Sequence, residues 1–309
     1  MVLNRRTVIW LVTILFSLCR GGSVTAGTIT SSAVAILPTP VFHTPGIADL
    51  FGGNTGKTLR LDSCGQMREL EFVAFPGTVF HIEETISSGR LLIYRVTTDE
   101  YPYPTDKGYF IESRFVKVTD QNPTARPRRL PSRKEVIENL VAARGINYVW
   151  GGNFRKGIPQ LLALYPVPPG HKLSSGAAAH RQLQGVDCSG LLYEATNGYT
   201  PRNTSALVKY GTPVSIANAD MEHIIRSLEP LDLIVRQGHV MIVLDKERLI
   251  ESRLGCRGNN GGVRIRPLSA ALKELLQERI PVDSLDDASA KGGKGFVIRR
   301  WHDSREGAH

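Results

Sequence analysis

Hydrophobic and polar positions change period along the chain, and those changes mark off its elements. Residues 8–18 (VIWLVTILFSL) form an unbroken apolar run, preceded by Arg5 and Arg6. From 33 to 120 the pattern is that of strands. AVAIL, LEFVAF, TVFHIEE and RLLIYRV are rich in β-branched and aromatic residues and are split by Pro-Thr-Pro, Pro-Gly and Ser-Ser-Gly turns. Short strands at this spacing predict a small all-β barrel. Residues 121–131 place Pro123, Pro127 and Pro131 among arginines, the composition of a stiff, exposed linker.

A helical period begins after Ser132. Ser132 and Glu135 have capping-box spacing, Val136, Ile137, Leu140 and Val141 make an apolar stripe, and Gly145 supplies a left-handed stop. Another helix is expected from about Ser189, where Leu191, Leu192 and Ala195 recur at helical spacing. Beyond it, HVMIVL and RLIES flank Asp245-Lys246-Glu247 as a hairpin, 268–279 reads as a helix, and GFVIRRW reads as a closing strand. Helices first and strands later predict an α+β domain over 132–302, with no internal repeat of solenoid period.

Composition narrows the classes. A chain of 309 residues that is 41% hydrophobic and 22% charged can bury a core, which excludes a disordered polymer. A single apolar run excludes a multipass membrane protein, and four cysteines are too few for a disulfide-dense miniprotein. That run, its basic flank and the small residues of SVTA read as a signal peptide over 1–26, cut after Ala26. Its length falls short of the roughly 20 residues a membrane helix needs, so no integral span is expected after cleavage. A short N-terminal anchor is the alternative; Leu18 is too large for a lipid-attachment box at Cys19. The expected location is the periplasm, the cell envelope or the exterior.

Cleavage removes three arginines, so the formal charge falls from +9 to +6. This mild excess suits anionic wall polymers or membrane surfaces. Nucleic acid is not expected, because no zinc-finger spacing, RNA-binding signature or dense basic helix is present. Arg126, Arg128, Arg129, Arg133 and Lys134 alternate with prolines and read as solvated. Cys64, Cys188 and Cys256 then remain, an odd number that flags a free thiol. Cys64 and Cys256 could pair, which leaves Cys188 as the thiol of interest.

Cys188 lies in GVDCSGLLYEA, at or near a helix N-terminus. Unpaired N–H groups and the helix dipole there favour a thiolate and can receive a developing oxyanion. His239 opens the apolar strand HVMIVL after Gly238, placed to act as general base and then acid. The hairpin brings Glu251 to the same face if the turn is tight, where a carboxylate would orient the imidazole. Each residue has a plainer reading: a buried structural cysteine, a histidine packed at a sheet edge, a surface glutamate. His43, His81, His171, His180, His223 and His302 lack a comparable context. No HExxH, CxxC, P-loop or dinucleotide fingerprint occurs, and no metal or organic cofactor is implied.

YVWGG (148–152), DCSG (187–190) and GHV (238–240), in that order, resemble the NlpC-type family of secreted bacterial cysteine peptidases over roughly 133–302. The resemblance implies a papain-like α+β fold and cleavage of peptidoglycan stem peptides between γ-D-glutamate and a diamino acid such as diaminopimelate. It implies Cys188 as nucleophile and His239 as base, with Tyr148, Trp150, Asp187 and Ser189 lining the substrate site. In some members the residues matching Asp187 and Ser189 hold the free amine of an N-terminal L-alanine. The region 33–120 resembles the bacterial SH3-type domains often fused to these enzymes. Two features depart from the pattern. The third residue, most often a histidine, matches Glu251 here. A long insertion, 154–184, separates YVWGG from DCSG and reads as a flap over the cleft. The expected function is a monomeric endopeptidase acting on peptidoglycan or muropeptides. An amidase or acyltransferase with the same dyad, and a non-catalytic wall-binding scaffold, are the alternatives.

Overall fold

The computed structural model describes residues 31–302 apart from 89–90, 257–260 and 291. The expected signal peptide, 1–26, lies outside the described residues. The chain begins with β1 (Ser32–Ala35), β2 (Thr39–Phe42), the single turn α1 (Ile47–Leu50), β3 (Leu70–Ala74), β4 (Val79–Ser88), β5 (Leu91–Thr97), β6 (Tyr109–Glu112) and β7 (Val116–Thr119). These strands form one antiparallel sheet in the order β3-β2-β6-β5-β4-β1-β7.

The sheet does not close into the expected barrel: β3 and β7 stand at its two ends, and no pairing joins them among the described residues. The β3 edge is satisfied in another way. Val73 N–H donates to Asn153 Oδ1 at 2.9 Å, and Asn153 Nδ2 donates to the Val73 carbonyl at 2.8 Å. One side chain thus stands in for a pairing strand and covers an edge that would otherwise be exposed. Strand β2 was hidden in the sequence because Pro40 made its Pro-Thr-Pro start read as a turn. The proline is tolerated because β6 pairs with β2 only at Phe42, so no ladder bond is required from the missing N–H on that side.

The rest of the chain comprises α2 (Arg133–Ala142), β8 (Asn153–Phe154), α3 (Gln160–Leu164), α4 (Ser175–Arg181), β9 (Gly185–Val186), α5 (Cys188–Ala195), α6 (Thr204–Leu207), β10 (Thr212–Val214) and α7 (Met221–Ser227). There follow β11 (Leu233–Arg236), β12 (His239–Val243), β13 (Arg248–Arg253), β14 (Gly262–Pro267), α8 (Leu268–Glu278), β15 (Ile280–Pro281), α9 (Leu285–Ala290) and β16 (Gly295–Arg300). The main sheet runs β10-β16-β11-β12-β13-β14, with β15 parallel to β16. Alternation along the strands splits their side chains between two faces. Val235, Val240, Ile242 and Ile250 pack with Leu191 and Leu192 of α5 and with Val136 and Leu140 of α2. Ile234, Met241 and Leu249 pack with Ile224 of α7 and with Leu272 and Leu275 of α8. Mixed helix and sheet is therefore the observed class. The capping box at the start of α2 is formed in both directions, Ser132 to Glu135 and back. No helix among the described residues is long and apolar enough to cross a membrane.

Three features join the N-terminal sheet to the main one. Cys64 and Cys256 form a disulfide across 192 residues of chain. Arg126, expected to be solvated, is buried: its guanidinium bonds both Glu100 oxygens and the Asn197 carbonyl and lies 4.7 Å above the Phe75 ring. The insertion is the third. Instead of forming a flap over the cleft it braces the N-terminal sheet. Leu161 and Tyr165 enter that sheet's core, Tyr165 stacks on Phe51 at 4.4 Å, and Arg181 donates to the Phe51 and Gly56 carbonyls. Its apolar residues had a hydrophobic face to join, and burial there outweighs lying loosely over a wet cleft.

Candidate active site

The local sequence places Cys188 at the first position of α5. Asp187 caps the helix, its Oδ1 accepting the Gly190 N–H at 2.6 Å. Gly190 is required by packing: a Cβ there would meet the Gly152 carbonyl oxygen at 2.0 Å, so DCSG and YVWGG interlock through backbone contact. Cys188 is a free thiol, and its Sγ lies 3.7 Å from Thr204 Oγ1 and 4.0 Å from the Gly238 carbonyl. Gly238 has φ +74, the left-handed conformation its two-residue turn needs, and nothing lies within 4 Å of where its Cβ would be. Its role is turn geometry.

His239 starts β12, and its Nε2 lies 2.6 Å from Glu251 Oε2. The Cys188 thiol approaches the same strand end, 4.0 Å from the Gly238 carbonyl that precedes His239. The register Ile242↔Ile250, carried two residues further, keeps 239 and 251 on one face as a diagonal pair within reach of long side chains. Glu251 is 1% exposed, and its second oxygen accepts from Arg266 at 2.9 Å. Burial disfavours the imidazolium, but the hydrogen bonds and negative charge of Cys188 and Glu251 outweigh it and raise the His239 pKa. Burial likewise opposes the Glu251 carboxylate; His239, Arg266 and Arg253 overcome that and pull its pKa down to about 2.

Cys188 opens on a cavity of about 520 Å³. One wall holds Tyr148, Trp150, Asp187, Ser189 and Arg202; the opposite wall comes from the N-terminal sheet and its loops, with His43, Arg68, Glu71, Tyr101, Tyr103 and Lys107. No residue of 154–184 lines it. Tyr148 is held protonated by burial and by the Asp187 and Cys188 charges, so its hydroxyl is a donor in the cavity. Trp150 is 39% exposed, its ring under the Arg68 guanidinium at 4.3 Å. Tyr101 donates to Glu71 Oε2 at 3.0 Å, and His43 Nδ1 lies 2.7 Å from Glu71 Oε1.

No family model and no curated protein matches the chain. Among solved structures it is similar to an NlpC/P60 family protein from Bacillus cereus ATCC 10987, with a TM-score of 0.31 and 17% identity over 89% of this chain and 64% of that one. A mutated form of the resuscitation promoting factor interacting protein RipA is similar with a TM-score of 0.29 and 22% identity over 45% of this chain and 60% of that one. The chain spans less than two thirds of either structure. Similarity at this level leaves function to be read from the residues.

Several residues of the site carry no local signal. Arg202 is fully buried behind Cys188 and pairs bidentately with Asp187, Nη2–Oδ2 2.7 Å and Nη1–Oδ1 3.0 Å. It also donates to Ser189 Oγ, the Gly152 carbonyl and Asn153 Oδ1. Arg202, Asn153 and Val73 therefore form one hydrogen-bonded line from the cap of α5 to the edge of the N-terminal sheet. The Asp187 carboxylate is consumed by Arg202 and the helix cap. In the opposite wall, Glu71 and Asp106 are carboxylates facing the cavity. His43, dismissed on sequence context, belongs to that wall. These contacts span tens of residues of chain, beyond any motif window.

Proposed function

We propose that the protein is an exported cysteine peptidase that cuts peptidoglycan stem peptides between γ-D-glutamate and a diamino acid. The observation that carries the reading is the buried His239–Glu251 pair next to Gly238, whose carbonyl lies 4.0 Å from the free Cys188 thiol, with that thiol at a helix N-terminus beside a cavity of peptide size. The intramolecular disulfide supports an oxidising compartment, consistent with cleavage of 1–26 on export.

In this reading the Cys188 thiolate attacks the γ-glutamyl carbonyl carbon and a C–S bond forms. The oxyanion receives the Cys188 N–H and the Tyr148 hydroxyl. Collapse breaks the C–N bond while the His239 imidazolium passes its proton to the leaving nitrogen. A water deprotonated by His239 then attacks the thioester: a C–O bond forms, the C–S bond breaks, and the thiolate returns. Glu251 orients the ring and stabilises its charge without taking the proton. The acyl portion occupies the cavity, whose far wall is the N-terminal sheet with its loops, restricting what enters. A substrate amine there would meet Glu71 and Asp106, while Asp187 and Ser189 position the nucleophile's helix.

The test is digestion of diaminopimelate muropeptides by residues 27–309 and by Cys188→Ala, read by mass spectrometry. Cleavage after γ-D-glutamate only by the unmodified chain is expected. Intact muropeptides with a rapidly alkylated Cys188 would shift the reading to an amidase or acyltransferase, and an inert thiol would favour a binding scaffold.

A further inference from the structure

At the end of the main sheet, Arg236 pairs directly with His239 across the tight β11–β12 turn, and with Phe296 on its other side. Phe296 pairs in turn with Pro281, so Arg279, two residues earlier, lies at the same end of the sheet. Neither arginine has an anionic partner among the described residues. Among the described residues the Arg236 side chain bonds only the Gln237 carbonyl, and Arg279 Nε is buried with no hydrogen-bond partner. Arg253 is placed differently, because Glu274 pairs with it at 3.3 Å. Glu278 favours the Arg236 guanidinium by its charge but forms no ion pair with it among the described residues. Burial and the charges of Arg279 and Arg253 all push the Arg236 guanidinium down, with Cys188 and Glu278 opposing them. Cations held together without a counter-ion are stabilised when an anion joins them.

None of these arginines lines the cavity that would take the acyl portion. Chemistry assigns the other side. The imidazolium gives its proton to the leaving nitrogen, so the leaving group departs past His239, and Arg236 is its neighbour in the ladder.

We propose that Arg236 and Arg279 form an anion subsite for the leaving portion of the substrate, selecting a diamino acid that carries a free side-chain carboxylate over one whose carboxyl is amidated. The proposal rests on the peptidase reading for its substrate but has a test of its own.

Peptides ending in γ-D-glutamyl-diaminopimelate and their side-chain amides are compared as a ratio of kcat/KM, for the unmodified chain and for Arg236→Gln/Arg279→Gln. The unmodified chain is expected to favour the carboxylate roughly five- to tenfold, the size of a partly buried guanidinium–carboxylate contact, and the double variant to bring the ratio near one. No preference in the unmodified chain, or a preference that survives in a folded variant, overturns the proposal. If neither peptide is cut, the peptidase reading is what fails. The subsite is then read from the ratio of Cys188 alkylation rates with anionic iodoacetate and neutral iodoacetamide. A severalfold fall in that ratio in the double variant supports the subsite, and an unchanged ratio overturns it. Circular dichroism and the thermal midpoint establish that the variant is folded.

Discussion

At the scale of single residues, Glu251 bonds His239 with one oxygen and Arg266 with the other, and Arg253 lies 3.9 Å from the second. Replacing it with glutamine keeps the shape and removes the charge. His239 then loses a contribution that raises its pKa, and the alkaline limb of the kcat/KM profile should move down toward the ordinary histidine value of 6.5. Activity at neutral pH should fall by about a hundredfold. An unmoved limb in Glu251→Gln would assign the orienting role elsewhere. The same pair predicts a stability profile. Glu251 is depressed from 4.5 to about 2, so its contribution is complete above pH 4.5 and disappears as the pH falls through that interval. His239 is raised above 6.5, so its contribution is complete below 6.5 and is lost as the pH rises through its folded value. Thermal midpoints against pH, for the unmodified chain and Glu251→Gln, check both limbs; the variant should lose much of the acid-side fall.

At the scale of elements, helix α5 is aimed by its cap, and the cap is aimed by Arg202. Deleting the Asp187 charge as Asp187→Ala removes the N-cap and leaves a fully buried guanidinium uncompensated, which costs about 3–5 kcal/mol. Asn153→Ala breaks the link at the next station. It strips both hydrogen bonds from Val73 on the β3 edge and one from Arg202, for about 2 kcal/mol or more. Denaturant unfolding measures both. Asn153→Ala should also raise KM, because the loosened edge belongs to the sheet that forms the cavity's far wall. A neutral Asn153→Ala would show that the two sheets dock without this amide. The motifs announced much of this element: the capping box of α2, the start of α5 and the hairpin carrying His239 and Glu251 follow from period and turn residues. Strand β2 did not, because Pro40 masks a strand whose proline is harmless only given its partners.

At the scale of the whole molecule, the disulfide closes a loop of 192 residues and ties the N-terminal sheet to the strand end beyond Glu251. Chain-entropy arguments place its contribution near 5 kcal/mol. Cys64→Ser/Cys256→Ser should therefore lower the thermal midpoint by several degrees, and KM should rise more than kcat falls, since one wall of the cavity is released while the Cys188–His239 pair stays within the other body. Equal midpoints with and without reductant would remove the disulfide from this role. The insertion acts at the same scale: with Tyr165 and Arg181 seated on the N-terminal sheet, it holds the far wall in place rather than covering the cleft.

The sequence by itself determined which residues could do chemistry and where the local elements begin. A thiol at a helix start, a histidine opening an apolar strand and a carboxylate one hairpin away are written in spacing alone, because capping, turn and periodic patterns are short-range. Tertiary structure decided what surrounds them. The Cys64–Cys256 pairing, Arg202 beneath Asp187, the cavity wall from Glu71 and Tyr101, the open sheet edge taken by Asn153 and the arginines beside His239 all depend on contacts between distant segments. Burial energy and unsatisfied polar groups choose those contacts only when the whole chain has folded.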